Sequence, residues 1–170
     1  MMVALTGTPG TGKTGTAAEL AGRGYTVISA KETMTEYIIE QDRERETVVV
    51  DEEAWASRFG RVSGIVEGHL AHLLPADRVV ILRCRPDHLA ERLRSRGYGD
   101  EKIRENVEAE LLDVALIETL EVHEPEVVLE IDTTGRPVDA IADIIEEFLR
   151  GDREAVCGTI DWSSFTGEMS

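Results

Sequence analysis

Apolar and polar positions along this chain follow two periods in turn. Short, nearly continuous apolar runs recur, and between them lie longer stretches in which apolar residues return every three or four positions. The runs read as buried strands and the longer stretches as amphipathic helices, so their alternation predicts βαβ units around a parallel sheet. Strands are expected at residues 2–5, 25–29, 63–66, 78–82 and 127–131. Helices are expected at 13–21, closed by Gly22-Arg23-Gly24, then at 31–42 and 52–61. Another opens near Pro86 and stops at Gly97, the usual asymmetry of helix punctuation. A long helix at 101–120, capped by Asp100, carries Ile103, Val107, Leu111 and Val114 on one face, and a last one at 138–149 groups Ile141, Ile144, Ile145 and Phe148. Val48-Val49-Val50 is a short apolar run ending at Asp51. Residues 1–150 read as one domain, and 151–170 as a tail that is loose except around Trp162 and Phe165.

Between the first strand and the first helix stands Gly7-Thr8-Pro9-Gly10-Thr11-Gly12-Lys13-Thr14, followed by Gly15. The spacing Gly-x-x-x-x-Gly-Lys-Thr in a strand–loop–helix setting predicts a phosphate cradle. Gly7, Gly10 and Gly12 let the backbone curl so that successive N–H groups face a phosphate, and the helix beginning there adds its positive end. Lys13 supplies a full charge to the β- and γ-phosphates of ATP, and the Thr14 hydroxyl is placed to ligate Mg²⁺.

Composition narrows the picture. The chain has 170 residues, 42% of them apolar, and a net charge of -16. Such acidity repels phosphate backbones and argues against a general nucleic-acid-binding surface. It fits either an ordinary acidic protein or one from a salt-rich cytoplasm, where screening tolerates dense carboxylates. The scarcity of lysine and the even spread of acid favour the halophilic alternative. No apolar run is long enough to span a membrane. Residues 1–6 run straight into the glycine loop and read as a strand rather than a signal peptide. Cys84 and Cys157 fit no disulfide or metal pattern, so a reducing cytoplasm is the expected setting.

A metal held at such a loop needs a carboxylate at the carboxyl end of a neighbouring strand. Glu67, directly after Gly64-Ile65-Val66, is the candidate. Asp51 is its rival, with the alternative role of a helix N-cap. His69 stands two residues past Glu67, either beside the phosphates or simply packed. Arg83, Arg85, Arg92, Arg94, Arg96, Lys102 and Arg104, seven of the 18 basic residues, fall within 22 positions. Arg92 and Arg96 share one helix face and lead into Gly97-Tyr98-Gly99. The cluster reads either as a small lid, at about 96–104, that closes guanidinium groups over phosphates, or as a solvated helix paired with Glu91 and Glu101.

With these residues in view, the chain resembles the nucleoside monophosphate kinases, and among them the short adenylate kinase isoenzyme six family, also called the Fap-seven family. The resemblance runs from about Val3 to Leu149. It rests on Leu5-Thr6-Gly7 through Thr14, on Val50-Asp51-Glu52-Glu53, on Val66-Glu67-Gly68-His69, and on Glu91-Arg92-Leu93-Arg94-Ser95-Arg96-Gly97-Tyr98 with Asn106 and Glu110 beyond. It implies a five-stranded parallel sheet with a very short lid, ATP and Mg²⁺ as ligands, adenylate kinase and ATPase activity, and a role in maturing the small ribosomal subunit through one of its proteins. It further implies that Arg92 lies against adenine, that Arg96 meets phosphate, and that Thr133-Thr134-Gly135 closes around the base. Glu67 and His69 match the family's Asp-x-x-His-like stretch with glutamate for aspartate and the histidine displaced. The helix after the second strand should present an arginine to the acceptor phosphate. Thr35 stands there instead, within an acceptor region at about 30–61, and Lys31, Arg43 and Arg45 are the nearest basic residues.

The expectation is an enzyme that moves the γ-phosphoryl of MgATP to AMP or another nucleoside monophosphate, or to water when no acceptor is held. The alternatives are a ribosome assembly factor whose ATPase cycle controls a basic ribosomal protein, and a small-metabolite kinase. The acid-rich stretches 105–126 and 139–152 are candidate partner surfaces or solvated helix faces.

Overall fold

The computed structural model describes residues 1–45 and 47–169, with backbone alone at 167–169; residue 46 of the expected acceptor region and residue 170 of the tail lie outside the described residues. Five parallel strands form the central sheet in the order β2 (Val27–Ser29), β5 (Gly64–Glu67), β1 (Met2–Thr6), β6 (Arg78–Arg83) and β7 (Val128–Asp132). The side-chain period of two divides β1 between two cores. Val3 and Leu5 join Ala17 and Leu20 of helix α1 (Lys13–Gly22) and Ile141, Ile145 and Phe148 of helix α7 (Val138–Arg150) on one face. Met2 and Ala4 face Met34, Trp55, Leu74 and Leu116 on the other.

The sheet thus lies between two helical layers, an α/β fold that places β1 and the loop after it at the centre. Strand order reverses on either side of β1, so the crevice opens at the carboxyl ends of β5, β1 and β6.

Two expected helices are corrected. Residues 31–42 hold only the short helix α2 (Ala30–Thr33) and a 3-10 turn, Thr35–Tyr37; strand β3 (Ile38–Asp42) then pairs antiparallel with β4 (Thr47–Val50). Ile38 pairs with Val50 and, past an irregularity at Ile39, Glu40 and Gln41 pair with Val49 and Val48; β-branched residues favour such a pleated surface. Asp42 starts the turn by accepting the N–H groups of Glu44 and Arg45. The expected long helix at 101–120 is two helices, α5 (Asp100–Leu111) and α6 (Val114–Val122), separated where Asp113 adopts φ 55. That left-handed turn brings the Asp113 carboxylate to Arg83 at 2.5 Å. Gly99, not Asp100, precedes the first turn of α5, and Asp100 sits within that turn, near the positive end of the helix dipole.

Helix α4 (Pro86–Ser95) begins on its proline and ends before Gly97, whose φ is 82. Helix α3 (Glu52–Arg58) is capped by Asp51, whose Oδ1 accepts the Ala54 N–H at 3.0 Å. The segment after α7 is held at several points. The Val156 carbonyl accepts the Glu130 N–H at 2.9 Å, the Gly158 N–H donates to Glu130 Oε2 at 2.7 Å, and Trp162 is buried.

Candidate active site

The loop between β1 and α1 curls as its glycines allow. Gly7, Gly10 and Gly12 all have positive φ, 141, 93 and 104, which L side chains resist. Space forbids side chains at two of them as well. A Cβ on Gly7 would stand 2.4 Å from the Leu82 carbonyl oxygen, and one on Gly10 2.8 Å from Leu89. Thr8 and Thr11 are buried, Pro9 is half-buried, and Thr14 and Gly15 face solvent on the first turn of α1. Lys13 turns back into the loop, donating to the Gly7 carbonyl at 2.7 Å and to the Thr8 carbonyl at 3.0 Å. Burial pushes its pKa down to about 8; the carboxylates of Glu67 and Glu110 oppose that shift, and Arg96 adds to it.

These electrostatic neighbours map the site. Glu67 ends β5, in register with Leu5 of β1 and Ser29 of β2, so its carboxylate stands beside the lysine of the loop. Asp51, the rival, is taken up as the cap of α3. The next residue, Gly68, is pressed against α2, for a Cβ there would lie 2.7 Å from that of Ala30. His69 follows with its ring reaching solvent. Crowding by the protein lowers its pKa to about 4, and Lys13, His72, Lys102 and Lys31 push the same way. All three lysines of the chain therefore converge on one histidine. Lys31 comes from the carboxyl end of β2 and Lys102 from the first turn of α5.

The basic cluster divides. Arg92 is half-buried across the loop, donating to the Gly10 carbonyl at 3.4 Å, to Thr133 Oγ1 at 3.3 Å and to the Thr133 carbonyl at 3.2 Å. Arg96, one turn on, is exposed and within electrostatic reach of Lys13. Thr133 also donates to the Thr11 carbonyl at 2.9 Å, joining the loop after β7 to the glycine loop. Thr134 accepts the Arg85 N–H at 2.8 Å, and Gly135 turns with φ 67. The structure thus gathers Gly7–Thr14, Arg92, Arg96, Glu67, His69 and the 133–135 loop along one edge of the sheet.

Arg83 does not join them. It is buried, donating to Glu110 Oε1 at 2.7 Å, to Glu130 Oε1 at 2.5 Å and to Asp113, so this member of the cluster is an internal ion pair rather than a phosphate grip. Arg85 pairs with Asp87 at 2.7 Å.

Two groups here have no role assigned from the sequence. His72 is buried with Nδ1 2.8 Å from Thr6 Oγ1 and Nε2 2.8 Å from Glu118, and desolvation lowers its pKa. Glu110 accepts the Thr8 hydroxyl at 2.7 Å from 102 positions away. Glu110 is named from the sequence only among the residues that carry the family resemblance, with no role attached to it.

The fold and the loop define a P-loop protein. A family model described as "AAA domain" matches residues 3–113. Curated relatives named "Putative adenylate kinase" include one from Archaeoglobus fulgidus, 47% identical over 96% of this chain and 93% of its own length. Another, from Natronomonas pharaonis, is 46% identical over 96% and 98%. A third, from Thermococcus kodakarensis, is 44% identical over 99% and 97%. The chain belongs to the family of archaeal P-loop proteins that carry that name. Among solved structures, deoxyadenosine kinase from M. mycoides superposes with a TM-score of 0.60 at 16% identity, covering 90% of this chain and 100% of that one. A gluconokinase from Sinorhizobium meliloti gives 0.57 at 18%, covering 88% and 91%. These likenesses show the fold, that of small P-loop kinases.

Proposed function

We propose that the protein is an adenylate kinase-type phosphotransferase, which moves the γ-phosphoryl of ATP to AMP and hydrolyses ATP slowly when no acceptor is held. The observation that carries this reading is the buried Lys13 ammonium of the glycine loop, which feels the charges of Glu67 at the carboxyl end of β5 and of Arg96, while Arg92 crosses the same loop to the Gly10 carbonyl. Phosphoryl transfer asks little covalent work of a protein; positioning and charge stabilisation suffice.

In this reading the N–H groups of residues 7–14 cradle the β-phosphate and Lys13 leaves its two carbonyls to meet the γ-phosphate. Arg92 lies along the base and phosphates beside Thr133, Thr134 and Gly135. Arg96 swings in with the short lid at 96–104 to neutralise charge on the transferred group. Thr14 and Glu67 would hold Mg²⁺, since an exposed hydroxyl and a carboxylate, completed by phosphate oxygens, are the hard donors that ion takes. The metal, when bound, neutralises charge on the β- and γ-oxygens.

On the acceptor side, Lys31 takes the part expected of an arginine at Thr35. From the first turn of α2 its charge reaches His69, whereas Thr35 donates back to the Glu32 carbonyl at 3.3 Å. His69, held neutral, lines the space between the two nucleotides. The test is a turnover assay with MgATP alone and then with each nucleoside monophosphate, in high-potassium buffer. Fast ADP formation with AMP supports the reading. Turnover that no monophosphate accelerates rejects it.

A second role is favoured by a surface feature. Leu112, Ile117 and Leu120 lie 64%, 55% and 41% exposed on and beside α6, among Glu108, Glu118 and Glu121. An apolar stripe with an acidic border suits a basic protein segment. This agrees with placement in the isoenzyme six (Fap-seven) family, with small-subunit maturation in a halophile's cytoplasm, and with a basic ribosomal protein as partner. A pull-down from native extract, with and without ATP, tests it. Recovery of no ribosomal protein in either state leaves the enzyme reading alone.

A further inference from the structure

The chain beyond α7 crosses from one edge of the sheet to the nucleotide loop. It runs beside β7, where Glu130 binds Val156 and Gly158, and then seats Trp162 against α5. The indole N–H of Trp162 donates to Glu110 Oε1 at 3.2 Å, and Phe165 packs edge-on against the indole with centroids 6.1 Å apart. The Phe165 ring also lies under the Arg85 guanidinium, 5.4 Å from its centroid. Few other residues of the strap are buried, so its docked state belongs to the weaker end of the molecule's local stabilities.

Glu110 is the shared element. Its Oε1 accepts from Arg83, from the Cys84 N–H at 3.1 Å and from Trp162, while its Oε2 accepts the Thr8 hydroxyl at 2.7 Å. Thr8 is gripped from the other side too, for its carbonyl accepts Lys13 at 3.0 Å and the Thr11 hydroxyl at 2.8 Å. One unbroken series of hydrogen bonds therefore joins Trp162, Glu110, Thr8 and Lys13. A buried indole N–H needs an acceptor in any setting, as Trp55 shows by donating to Thr33 Oγ1 at 2.9 Å, so it is the identity of the acceptor that matters for Trp162. Here the acceptor is the carboxylate that also holds the Thr8 hydroxyl of the nucleotide loop.

We propose that Glu110 and Trp162 are positioning residues for the nucleotide, and that docking of the C-terminal strap and binding of MgATP at the P-loop strengthen each other. When Lys13 turns from the Thr8 carbonyl to a phosphate, Thr8 loses one of its restraints, and its hydroxyl bond to Glu110 then carries the loop's register. By linkage, whatever factor docking of the strap adds to nucleotide affinity, nucleotide adds to the equilibrium constant for docking of the strap. The proposal rests on the P-loop reading given above, and the measurements separate the two.

The probe is a non-hydrolysable ATP analogue with Mg²⁺, titrated into the full chain and followed by calorimetry and tryptophan emission. The chain has two tryptophans, so emission is also read in Trp55→Phe, where Trp162 is the sole indole. Nucleotide should change Trp162 emission. Trp162→Phe, which keeps an aromatic ring and loses the N–H, should weaken Kd about tenfold, as loss of a hydrogen bond to a charged group does. Thr8→Val should do the same and Thr8→Ser should restore binding. The double variant Trp162→Phe with Thr8→Val should be no weaker than the worse single one, since both cut one series. Silent Trp162 emission, or additive losses in the double variant, would overturn the coupling while leaving the P-loop reading intact. Failure of the wild-type chain to bind the analogue would overturn the P-loop reading itself.

Discussion

Lys13 is held within its own loop by two carbonyl oxygens and lies almost out of water, so its ammonium is positioned before any phosphate arrives. Lys13→Ala should lower kcat by about 10²–10³-fold, the usual loss when one preorganised charge-stabilising donor is removed, with the fold unchanged by circular dichroism. Near-normal turnover would remove Lys13 from the mechanism. Two arginines of the basic cluster give a sharper comparison. Arg96 feels the charge of Lys13, while Arg94, two residues away, points to another helix face. Arg96→Ala should cut kcat/KM by at least about tenfold and Arg94→Ala by less than about twofold, a gap of one lost phosphate contact. Equal effects would make the helix a solvated surface.

Among the elements, the break between α5 and α6 decides most. Had the chain continued as one helix, Asp113 would not reach Arg83, whose guanidinium would then have only Glu110 and Glu130 for its charge. Breaking a buried ion pair from one side leaves the others uncompensated, so Arg83→Ala should lower unfolding stability by about 3–5 kcal/mol in denaturant titrations. A loss below about 1 kcal/mol would place Arg83 in water, as for a surface pair. The sequence pattern missed both this break and the β3–β4 hairpin for the same reason. Periodicity reports which face is apolar. It does not register a single left-handed residue, nor whether a β-branched run has a partner strand close in sequence.

For the whole molecule, charge is the property to test. With 34 acidic residues against 18 basic ones, like charges crowd the surface, and screening shortens from about 10 Å at 0.1 M salt to about 3 Å at 1 M. The melting temperature should climb steeply from about 0.05 to 2 M KCl as self-repulsion is screened. A flat profile would leave a merely acidic protein and remove the halophilic reading.

What the sequence by itself determined were the features that lie within a few residues of one another. These are the five strands as short apolar runs, the Gly7–Thr14 loop with its lysine and threonine, the Pro86 and Gly97 limits of α4, and the shared face of Arg92 and Arg96. Each depends on the period of a strand or helix or on the φ that glycine and proline permit, and so is written locally. Tertiary structure alone decided which carboxylate stands beside Lys13. Glu67 and Asp51 both follow apolar runs, and only the sheet order β2-β5-β1 separates them. It likewise buried Arg83 away from the phosphates, drew Lys31 and Lys102 toward His69, and let Glu110 join Thr8 to Trp162 across 102 and 52 positions. Such contacts arise from the packing of distant segments around one core, and no spacing along the chain encodes them.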